Sequence, residues 1–502
     1  MSLASYPPAP AASALLVLLL LQLGCHVEPA ASVPTPTAAK PTAPTAETTS
    51  ARQSAEAEPA CGAEPKRLQG FKQAASACWA EAALAPAALS YQPFSAAGVQ
   101  RVAATTWADL QRHVNQATGP VHVTLSGSLA ADTPLLISGK PGMVLVSGPA
   151  SITCSGSGKL NAFIIQRSAA VMLQDLSISG CTNAAISINA TAPGNSSPPI
   201  TAAAGSRRIS SAPNVVLKNI TISSCTGSKG AAVAASSSRV VLDGCRLTNN
   251  TAQGCGAGVY ADRAAVLVLN SDFTDNEGSS ANDSDELCRG GAIHAQRSWL
   301  GVAASSFAGN RGANGSAVLI LQPEGMSQLQ DCSFSNNQPC PGTSADFPSS
   351  AGAVGLVGAG TQAVLQRGVS TCKPVRNGLA VARCTFRNNT AAVNGGRGGS
   401  ISVNDAFLAV INTTIAGSTA DSPLETAKGT ASETVRVHKT ALNGGCFALD
   451  AATLYVAGSS FSRCHAHLYG GAISMLGVTS VMLDTAFDHS SADQVRRWCD
   501  RV

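Results

Sequence analysis

The sequence is poor in charge and in aromatic side chains. Asp, Glu, Lys and Arg make up 12% of the 502 residues and Phe, Trp and Tyr make up 4%, whereas 45% are hydrophobic. Charged residues usually account for about 25% of a soluble protein, so little charge opposes burial here and a wholly disordered chain is excluded. No block of Lys or Arg accompanies the net charge of +4, which argues against a nucleic-acid partner.

Apolar stretches long enough to span a bilayer are lacking as well. The run Leu15–Leu21 falls short of the about 20 residues that a membrane-spanning helix needs. It is typical of a secretory signal peptide, with small residues for cleavage at 30–32. We therefore expect a signal peptide over 1–31, with a lipoprotein-type site at Cys25 as the alternative, and no transmembrane segment in the mature chain. The Pro/Thr/Ala-rich composition of residues 32–60 predicts a disordered stalk.

Cysteine, in contrast, is plentiful. The chain has 16 cysteines, which in a secreted protein favours disulfide bonds. Acceptor sequences for N-glycosylation occur at Asn189, Asn195, Asn219, Asn249, Asn282, Asn314, Asn388 and Asn412. Together with the signal peptide, these features predict a secreted protein, extracellular or at the cell surface, which is glycosylated if its host glycosylates.

A repeat unit of the form apolar-x-x-Asn recurs along the chain. Its clearest copies begin with Phe and span 273–276, 307–310, 334–337 and 386–389, and Leu247 begins a related copy. Recurrence at intervals of 20–50 residues is characteristic of solenoids, so these copies predict a repeat architecture.

A second unit, Gly-Gly-Ala-Ile, alternates with the first and is complete at 290–293 and 470–473. The distance from the end of this unit to the next apolar anchor is nearly constant, whereas the return distance varies. The first distance, from the second unit to the apolar anchor, equals 14 residues for the pairs 233 and 247, 259 and 273, 293 and 307, 401 and 415, 447 and 461, and 473 and 487. We call the segment of constant length the constant leg and the return segment the variable leg. A constant segment that alternates with a variable one indicates a repeating structural unit with loops of different length.

The constant leg predicts short β-strands. It alternates apolar and small polar residues, as in Ala265–Leu269 followed by Asp272 and Phe273. Stacking such strands at about 4.8 Å per coil satisfies the backbone and buries a continuous core. The sequence therefore predicts an all-β fold, a right-handed, single-stranded parallel β-helix over 121–490, with the handedness taken from the general crossover rule. The expected core stack is Leu247, Phe273, Phe307, Phe334, Phe386, Phe461 and Phe487.

The asparagine that ends each copy of the first unit has two explanations. Its side-chain amide would hydrogen-bond the equivalent residue one coil away and so form a ladder. Alternatively, asparagine merely tolerates a left-handed turn at this position. The candidate ladder residues are Asn250, Asn276, Asn310, Asn337 and Asn389.

Both ends of the solenoid are expected to carry caps that cover bare strand edges. Residues 61–120 form the expected N-terminal cap region, where the sequence from Thr106 to Asp109 resembles a capping box that starts a helix over about 106–118. A C-terminal cap helix is expected over 491–502, and a truncated C-terminus is the competing account.

The alternating Phe-x-x-Asn and Gly-Gly-Ala-Ile units resemble the chlamydial polymorphic outer-membrane protein repeat, and the scaffold is similar to the pectin-lyase-like β-helix superfamily. The resemblance covers roughly 215–490. It implies a surface-exposed adhesin, which in chlamydiae carries a C-terminal autotransporter barrel. Only a short segment follows Phe487 in this sequence, so no barrel is expected.

Catalytic signatures of polysaccharide-cleaving β-helices are lacking. The sequence contains no Asp-Asp pair, no Gly-His-Gly and no Arg-x-Pro-x-x-Arg. Glycosidases need paired carboxylates and lyases need a base. We therefore predict no catalytic residues. The best outward carboxylate cluster, and the runner-up catalytic pair, is Asp272 and Asp275, which lie near Asn249 of the preceding coil.

Two short segments carry potential metal ligands. The acidic insertion with Asp283, Asp285 and Glu286 would supply oxygen ligands to Ca²⁺, but its spacing is incomplete and a solvated loop is the alternative. His465 and His467 would share one strand face beside a turn. We predict no metal site and no cofactor, with Ca²⁺ at the acidic insertion as the runner-up.

Three cysteine pairs are candidate disulfides. Alignment of the second units places Cys255 within one residue of Cys288 on the next coil, and the coil spacing suits a bridge. Cys340 and Cys372 flank one inserted stretch, and Cys61 and Cys78 lie in the N-terminal cap region. A buried free thiol is the alternative for each residue.

The large insertions bear on function because most of them fall on the variable leg, at 277–289, 338–350 and 421–443. They should therefore line one edge of the solenoid, and variable loops on a rigid scaffold commonly bind partners. We interpret the chain as a non-catalytic, adhesin-like β-helix that binds an extracellular glycan or matrix component through this edge. Two alternatives stay open: a polysaccharide lyase or glycoside hydrolase acting on acidic polysaccharide, and a structural cell-wall component.

Overall fold

The computed structural model describes residues 98–140, 142–167, 170–189, 215–278, 290–312, 314–340, 351–358, 377–391, 397–420, 444–466 and 470–492. All of them belong to one compact unit, Glu64–Val502. Within these ranges the chain forms short strands and the helix α1 (Trp107–Gln116). The strands pair in parallel with equivalent strands of the preceding and following coils.

The first row of strands, the long row, is part of a 23-stranded sheet. Most of its members have five residues, and one strand is contributed by each coil. They are β1 (Gln100–Ala104), β2 (Val121–Leu125), β5 (Met143–Cys154), β7 (Ala170–Ser179), β9 (Val215–Lys218), β13 (Arg239–Asp243), β17 (Ala265–Leu269), β21 (Trp299–Ala303), β24 (Met326–Gln330), β27 (Gly378–Ala382), β31 (Phe407–Ile411), β35 (Thr453–Ala457) and β39 (Thr479–Leu483).

The second row, the short row, completes the same sheet after a bend in the chain. The second halves of β5 and β7 also belong to it, because their pairing shifts register before Ala150. The remaining members are β3 (Gly127–Ala131), β10 (Thr221–Ser223), β14 (Arg246–Thr248), β18 (Asp272–Thr274), β22 (Ser306–Ala308), β25 (Ser333–Ser335), β28 (Thr385–Arg387), β32 (Thr414–Ala416), β36 (Ser460–Ser462) and β40 (Ala486–Asp488).

Two further rows close each coil. The third row consists of β11 (Thr226–Lys229), β15 (Thr251–Cys255) and β19 (Glu277–Gly278), and then of β29 (Thr390–Ala391), β33 (Thr419–Ala420), β37 (His465–Ala466) and β41 (Ser491–Ala492). The fourth row is an 11-stranded sheet of β4 (Leu135–Ser138), β6 (Phe163–Gln166), β8 (Ile186–Asn189), β12 (Val233–Ser236), β16 (Val259–Asp262), β20 (Ile293–Gln296), β23 (Val318–Leu321), β26 (Val354–Val357), β30 (Ile401–Asn404), β34 (Phe447–Asp450) and β38 (Ile473–Leu476).

This order of rows identifies the architecture as a parallel β-helix, as the sequence predicts. A coil such as β13–β16 visits the long, short, third and fourth rows in turn, other coils lack a third-row strand among their described residues, and each strand pairs with the equivalent strand one coil away. The described solenoid extends beyond the expected range of 121–490. Its first strand, β1, already pairs with β2 residue for residue, and β41 pairs with β37.

The core lies inside the coils and contains a column of stacked aromatic rings. Phe273, Phe307, Phe334 and Phe386 face one another in strand register, with ring centroids 4.9, 4.7 and 4.6 Å apart and planes within 9° of parallel. Leu247 precedes this column in the same register. Because parallel strands lie about 4.8 Å apart, identical residues at one register position must stack ring on ring.

The column continues towards the last described coil. Ile415 separates Phe386 from Phe461, and Phe487 stacks on Phe461 at 5.1 Å. Phe487, expected as a core residue, is nevertheless 50% exposed. It lies on the last described coil, where no described strand follows to cover its outer side.

The five candidate ladder asparagines form one continuous chain of hydrogen bonds. Each is fully buried. The side-chain amide of Asn250 donates to the amide oxygen of Asn276 at 2.9 Å, and Asn276 donates to Asn310 at 3.1 Å. The chain continues from Asn310 to Asn337 at 3.0 Å and from Asn337 to Asn389 at 2.9 Å.

The left-handed turn lies one residue before each ladder asparagine. Asn249, Asn336 and Asn388 have φ of 53°, 54° and 51°, and Asp275 has φ of 52°. The ladder asparagines themselves are not among the residues with positive φ. Hydrogen bonding between coils, rather than tolerance of a left-handed backbone, is therefore what requires asparagine at the ladder positions.

Two disulfides involve cysteines that replace asparagine in this ladder. Cys181 bonds Cys154 of the preceding coil, and Cys464 bonds Cys446. Neither pair was expected from the sequence. The three expected pairings stay predictions because at least one member of each lies outside the described residues. Cys255 is buried, and its expected partner Cys288 is not described. Cys340 is disulfide-bonded, but its expected partner Cys372 is not described, and neither Cys61 nor Cys78 is.

Other cysteines are buried thiols rather than bridges, namely Cys225, Cys245, Cys332 and Cys384. Burial raises the pKa of Cys225 to about 11 and that of Cys245 to about 12. Because the thiolate is the reactive form, these two residues act as small core side chains at neutral pH.

The helix α1 packs beside the first coils. Thr106 caps it by accepting a hydrogen bond from the backbone N–H of Asp109 at 3.0 Å. Trp107, Leu110 and Val114 form its buried face, and the Trp107 ring meets Phe163 edge-on at 5.6 Å. An amphipathic helix here covers apolar side chains at this end of the core.

The expected C-terminal helix is wrong at its start. Ser491 and Ala492 form the strand β41, which pairs with His465 and Ala466. The local reason is that the chain simply completes another coil, so its backbone bonds are satisfied by the coil beneath. Residues 493–502 lie outside the described residues.

Candidate functional site

On the strands β13, β17, β31 and β35 the outer face of the long row is apolar and largely buried. Val240 and Leu242 point into the main core, whereas Val241 between them belongs to a separate apolar cluster on the opposite face of the sheet. Leu267 is 1% exposed and Tyr455, in a second such cluster, is 2% exposed. A ligand from solvent therefore does not reach these parts of the long row.

The outer face of the short row is different, because it is polar and open to solvent. In each three-residue strand the middle residue points into the core and the two flanking residues point outward, as in Ser333-Phe334-Ser335. We call the outward residues the hydroxyl face because most of them are Ser or Thr. Its hydroxyl residues are Ser151, Thr153, Ser177, Ser179, Thr221, Ser223, Thr248, Thr274, Ser306, Ser333, Ser335, Thr385, Thr414, Ser460 and Ser462. All are half-buried or exposed.

The repeat explains how this face arises. Each apolar anchor of the first unit is flanked by small polar residues, and the alternation of a β-strand sends those neighbours outward. In-register stacking then aligns them in two columns along the solenoid axis. The spacing along each column is about 4.8 Å, and the two columns are about 6.7 Å apart. Neighbouring side chains interact within a column, since Ser460 Oγ donates to Thr414 Oγ1 at 3.4 Å.

A groove of about 420 Å³ opens at one end of the hydroxyl face. Its floor contains Ser151, Ser177 and Thr221 from three successive coils, and the adjoining turn supplies Asp175 and Asn219. Pro149, Ala150 and Leu176 complete the lining. The groove therefore combines hydroxyl groups, a carboxylate and an amide on a surface of mixed polarity.

The carboxylate of the groove is held in place by two amides. Gln174 Nε2 donates to Asp175 Oδ2 at 2.8 Å, and Asn219 Nδ2 donates to Asp175 Oδ1 at 2.9 Å. Asp175 is the one acidic residue in the groove lining. The two amides orient this carboxylate, and its oxygens are acceptors for hydrogen bonds from a ligand.

Several charges on and beside the hydroxyl face occur as opposite pairs. Arg246 Nη2 lies 3.7 Å from Asp272 Oδ2. In the turn before the short row, Arg383 bonds Asp331 through two nitrogens at 2.7 and 2.8 Å. The hydrogen bond from Arg383 holds the pKa of Asp331 below its usual value and raises that of Arg383. Arg387 and Arg463 are exposed without such a pair but lie two coils apart, so the described part of the face has no cluster of basic side chains.

The Asp331–Arg383 pair gives a pH-dependent prediction. Because the pKa of Asp331 is lower in the folded state, the pair stabilises the fold at pH above about 4, and this stabilisation is lost as the pH falls through the folded-state pKa. The side chains are 44% and 42% exposed, so the gain is at most about 1 kcal/mol. We expect Asp331→Asn to lower stability at pH 6 and this difference to shrink as the pH is lowered below about 4, measured by chemical unfolding at each pH. Arg383→Gln should show the same pH profile, and a pH-independent difference would contradict the assignment.

A second cluster lies at the fourth row. The Tyr260 and His294 rings stack across adjacent coils with centroids 5.5 Å apart, and Lys229 Nζ lies 5.7 Å from the centroid of the Tyr260 ring. Tyr, His and Lys are residue types that can act as general acids or bases. However, His294 is 1% exposed, so its imidazole is shielded from a polymeric substrate.

Charged residues next to this cluster are also paired. Arg297 bonds Asp262 Oδ1 through Nη2 at 2.7 Å and Nε at 3.1 Å. Burial raises the pKa of Glu324, and the nearby Arg263 and Arg297 oppose that shift. These ion pairs neutralise the arginines that would otherwise attract a uronate.

Of the runner-up catalytic pair proposed from sequence, Asp272 and Asp275, the first has structural partners. Asp272 is bound by Arg246 and accepts a hydrogen bond from Ser306 Oγ. Asp275 lies on the following left-handed turn and is exposed. Both residues therefore lie at the edge of the hydroxyl face, with Asp272 engaged in charge neutralisation.

The candidate metal ligands are not brought together within the described structure. Asp283, Asp285 and Glu286 lie outside the described residues, as does His467. His465 Nδ1 lies 3.0 Å from Ser491 Oγ. In the described ranges, no group of three or more His, Cys, Asp or Glu side chains is placed to hold a metal ion. Within the same ranges, no helix is long and apolar enough to cross a bilayer.

The hydroxyl face and the Tyr260 cluster were missed at the level of sequence. The signal for the first was present in the residues on either side of each anchor, such as Ser333 and Ser335. For the Tyr260 cluster, the signal was the residue directly after each copy of the Gly-Gly-Ala-Ile unit. Tyr260 and His294 both occupy this position and pair on adjacent coils.

Comparison with known proteins finds no matching family model and no matching curated protein. Solved structures do match. A mannuronic acid specific polysaccharide family 6 lyase from human gut microbiota is 12% identical over 76% of this chain and 82% of its own, with a TM-score of 0.36. The catalytic unit of a thermostable GH87 α-1,3-glucanase from Streptomyces thermodiastaticus is 12% identical over 82% and 70%, with a TM-score of 0.37.

A third solved structure is the A-module of a mannuronan C-5 epimerase from Azotobacter vinelandii. It is 11% identical over 74% of this chain and 92% of its own, with a TM-score of 0.25. At these scores the similarity carries no conclusion about function. The fold assignment therefore rests on the strand register described above.

Proposed function

We propose that the protein is a secreted or cell-surface, non-catalytic and adhesin-like β-helix protein that binds an extracellular glycan through the hydroxyl face. The observation that carries the proposal is the groove at the end of this face, where Ser151, Ser177, Thr221 and Asn219 present donors and acceptors beside Asp175. Sugar hydroxyls both donate and accept hydrogen bonds, so such a surface is complementary to them.

The binding site of this proposal differs from the one that the sequence indicated. The insertions of the variable leg lie largely outside the described residues, so binding by loops along one edge stays a prediction. The hydroxyl face belongs instead to the rigid strands, and rigid positioning lowers the entropy lost on binding.

Extracellular location is supported by the sequence and by cysteine chemistry. The signal peptide and stalk expected over 1–31 and 32–60, together with the acceptor sequences for glycosylation, all suit secretion. The disulfides Cys154–Cys181 and Cys446–Cys464 suit an oxidising compartment. The resemblance to chlamydial surface repeats supports the adhesin part of the proposal.

A lyase acting on acidic polysaccharide is the second candidate, favoured by the proximity of Lys229, Tyr260 and His294. In that mechanism one of these groups would remove the proton next to the uronate carboxyl group and another would protonate the leaving oxygen. The burial of His294 is the observation against it.

We expect the purified protein to bind at least one member of a panel of immobilised plant, algal and animal polysaccharides without releasing unsaturated products. Thr221→Val removes one hydroxyl from the groove without changing side-chain shape, and it also removes the glycosylation acceptor sequence at Asn219, so the proteins are made in a host that does not N-glycosylate. The variant should weaken binding about tenfold, as expected for the loss of one or two hydrogen bonds. Thr226→Val, an exposed threonine on the third row, is the matched control and should leave affinity unchanged.

The same panel distinguishes the second candidate. Release of unsaturated products that disappears in Tyr260→Phe would contradict the non-catalytic proposal. Equal binding by Thr221→Val and Thr226→Val would place the site away from the hydroxyl face. Failure to bind any polysaccharide would favour the structural cell-wall role instead.

A further inference from the structure

The shape of the hydroxyl face indicates which glycans it would accept. Resting on the function proposed above, we infer that its ligand is an uncharged, linear polysaccharide that lies parallel to the solenoid axis, with one disaccharide unit spanning two coils. The inference depends on the dimensions of the face, on the period of its hydroxyl groups and on the pairing of its charges.

The hydroxyl face is narrow across the strands and long along the axis. Each short-row strand contributes only two outward residues before the chain turns, as at Asn249 and Asn388, where φ is positive. Along the axis, in contrast, the register is unbroken from Ser177 through Thr221 to Ser460. A chain laid across the strands would meet two columns only, whereas a chain laid along the axis would meet a hydroxyl group on most coils.

The period of the face suits an extended β-1,4-linked chain. Successive sugars of such a chain are turned over relative to each other, so the same groups face a surface once per disaccharide. Two coils span about 9.6 Å, which is close to the length of that disaccharide unit. Thr385 and Thr414 on adjacent coils, followed by Ser460, show the uninterrupted period.

The charges of the face argue against an acidic polymer. Of the cations on or beside the face, Arg246 is paired with Asp272, and Arg383 is paired with Asp331. Arg387 and Arg463 are exposed and make no ion pair with a described residue, but they lie two coils apart and do not converge on one point. The groove carries the carboxylate of Asp175, which would repel a uronate. Recognition of a polyanion instead uses convergent basic side chains, with affinity that falls as salt is added. An uncharged chain needs no such field.

The experiment measures affinity for oligosaccharides of increasing length by titration calorimetry. The probes are the disaccharide, tetrasaccharide, hexasaccharide and octasaccharide of β-1,4-linked glucan, mannan and xylan, with oligogalacturonides of the same lengths as the acidic series. We expect one neutral series to bind, with affinity rising about tenfold or more from tetrasaccharide to octasaccharide and without dependence on added salt. The double variant T385V/T414V should remove most of this gain in affinity. It also removes the glycosylation acceptor sequence at Asn412, so all proteins are made in a host that does not N-glycosylate.

The matched control is again Thr226→Val, which carries the same chemical change on a different row, and thermal melts confirm that each variant is folded. Affinity that does not increase with length would overturn the axial orientation while leaving glycan binding intact. Tighter, salt-sensitive binding of oligogalacturonides would overturn the neutral class. Failure of every series, including in the polysaccharide panel, would instead overturn the proposed function itself.

Discussion

Replacing Asn310 by Ala should lower the free energy of unfolding by about 4 kcal/mol, because it breaks the buried ladder at its centre. The Asn310 side chain accepts from the backbone N–H and the side-chain amide of Asn276, both at 3.1 Å. It also donates to the carbonyl oxygen of Phe273 at 3.0 Å and to Asn337 at 3.0 Å. Each buried group left unpaired costs about 1–3 kcal/mol, and no solvent reaches the site to compensate.

The control for this prediction is Asn336→Gly on the next coil. Asn336 is exposed and has φ of 54°, a conformation that glycine adopts without strain, so this substitution should change stability by less than about 1 kcal/mol. Chemical unfolding followed by far-ultraviolet circular dichroism measures both variants. If Asn310→Ala and Asn336→Gly were equally stable, the ladder would not contribute to stability as described.

Replacing Phe307 by Ala should cost about 3–5 kcal/mol, the range for removal of a fully buried phenylalanine. Phe307 is 0% exposed and stacks between Phe273 at 4.9 Å and Phe334 at 4.7 Å. The substitution therefore leaves a cavity in the middle of the column and removes two ring contacts, each worth about 0.5–1.5 kcal/mol beyond the buried area.

The same substitution at the end of the column provides the comparison. Phe487 is 50% exposed and contacts Phe461 on one side, so Phe487→Ala should cost less than half as much. Phe307→Leu, which keeps most of the volume, should fall between the two. An effect of Phe487→Ala as large as that of Phe307→Ala would contradict a single continuous core.

The periodic part of the fold was accessible from sequence because one residue position is reused on every coil. The constant 14-residue leg placed Phe273, Phe307 and Phe334 at equivalent positions, and the structure pairs them in register. The ladder asparagines followed from the same alignment. Stacking leaves no choice of neighbour, so alignment of the repeat directly predicts which residues lie side by side.

Features that depend on the outer surface were harder to predict. The segment Ala265–Leu269 was interpreted as alternating, yet all five residues are buried, so both faces of this strand are covered. An uninterrupted apolar run of this kind is typical of a strand buried on both faces. Such a run does not say what covers the outer face.

The disulfides were missed for a related reason. Alignment of the second units suggested a bridge at Cys255, whereas the observed bridges use ladder-position cysteines, Cys181 and Cys464. Each bonds a cysteine outside the ladder, so the partner depends on where neighbouring turns lie. Similarly, a helix was expected to begin at residue 491. Ser491 and Ala492 instead form a strand, because pairing with the coil beneath takes precedence over local helix propensity.

The most direct test of the account is an in-register cross-link between coils. In the structure Ser333 pairs with Thr385 on the next coil and Ser335 pairs with Arg387. Cysteines at 333 and 385 would have Cα atoms about 5 Å apart, within the range for a disulfide, whereas cysteines at 333 and 387 would be about 8 Å apart and beyond it. Air oxidation followed by peptide mapping should therefore detect the 333–385 bridge and no 333–387 bridge. Efficient formation of the 333–387 bridge, or failure of the 333–385 bridge in a folded variant, would contradict the stacked register on which the fold, the ladder and the hydroxyl face all depend.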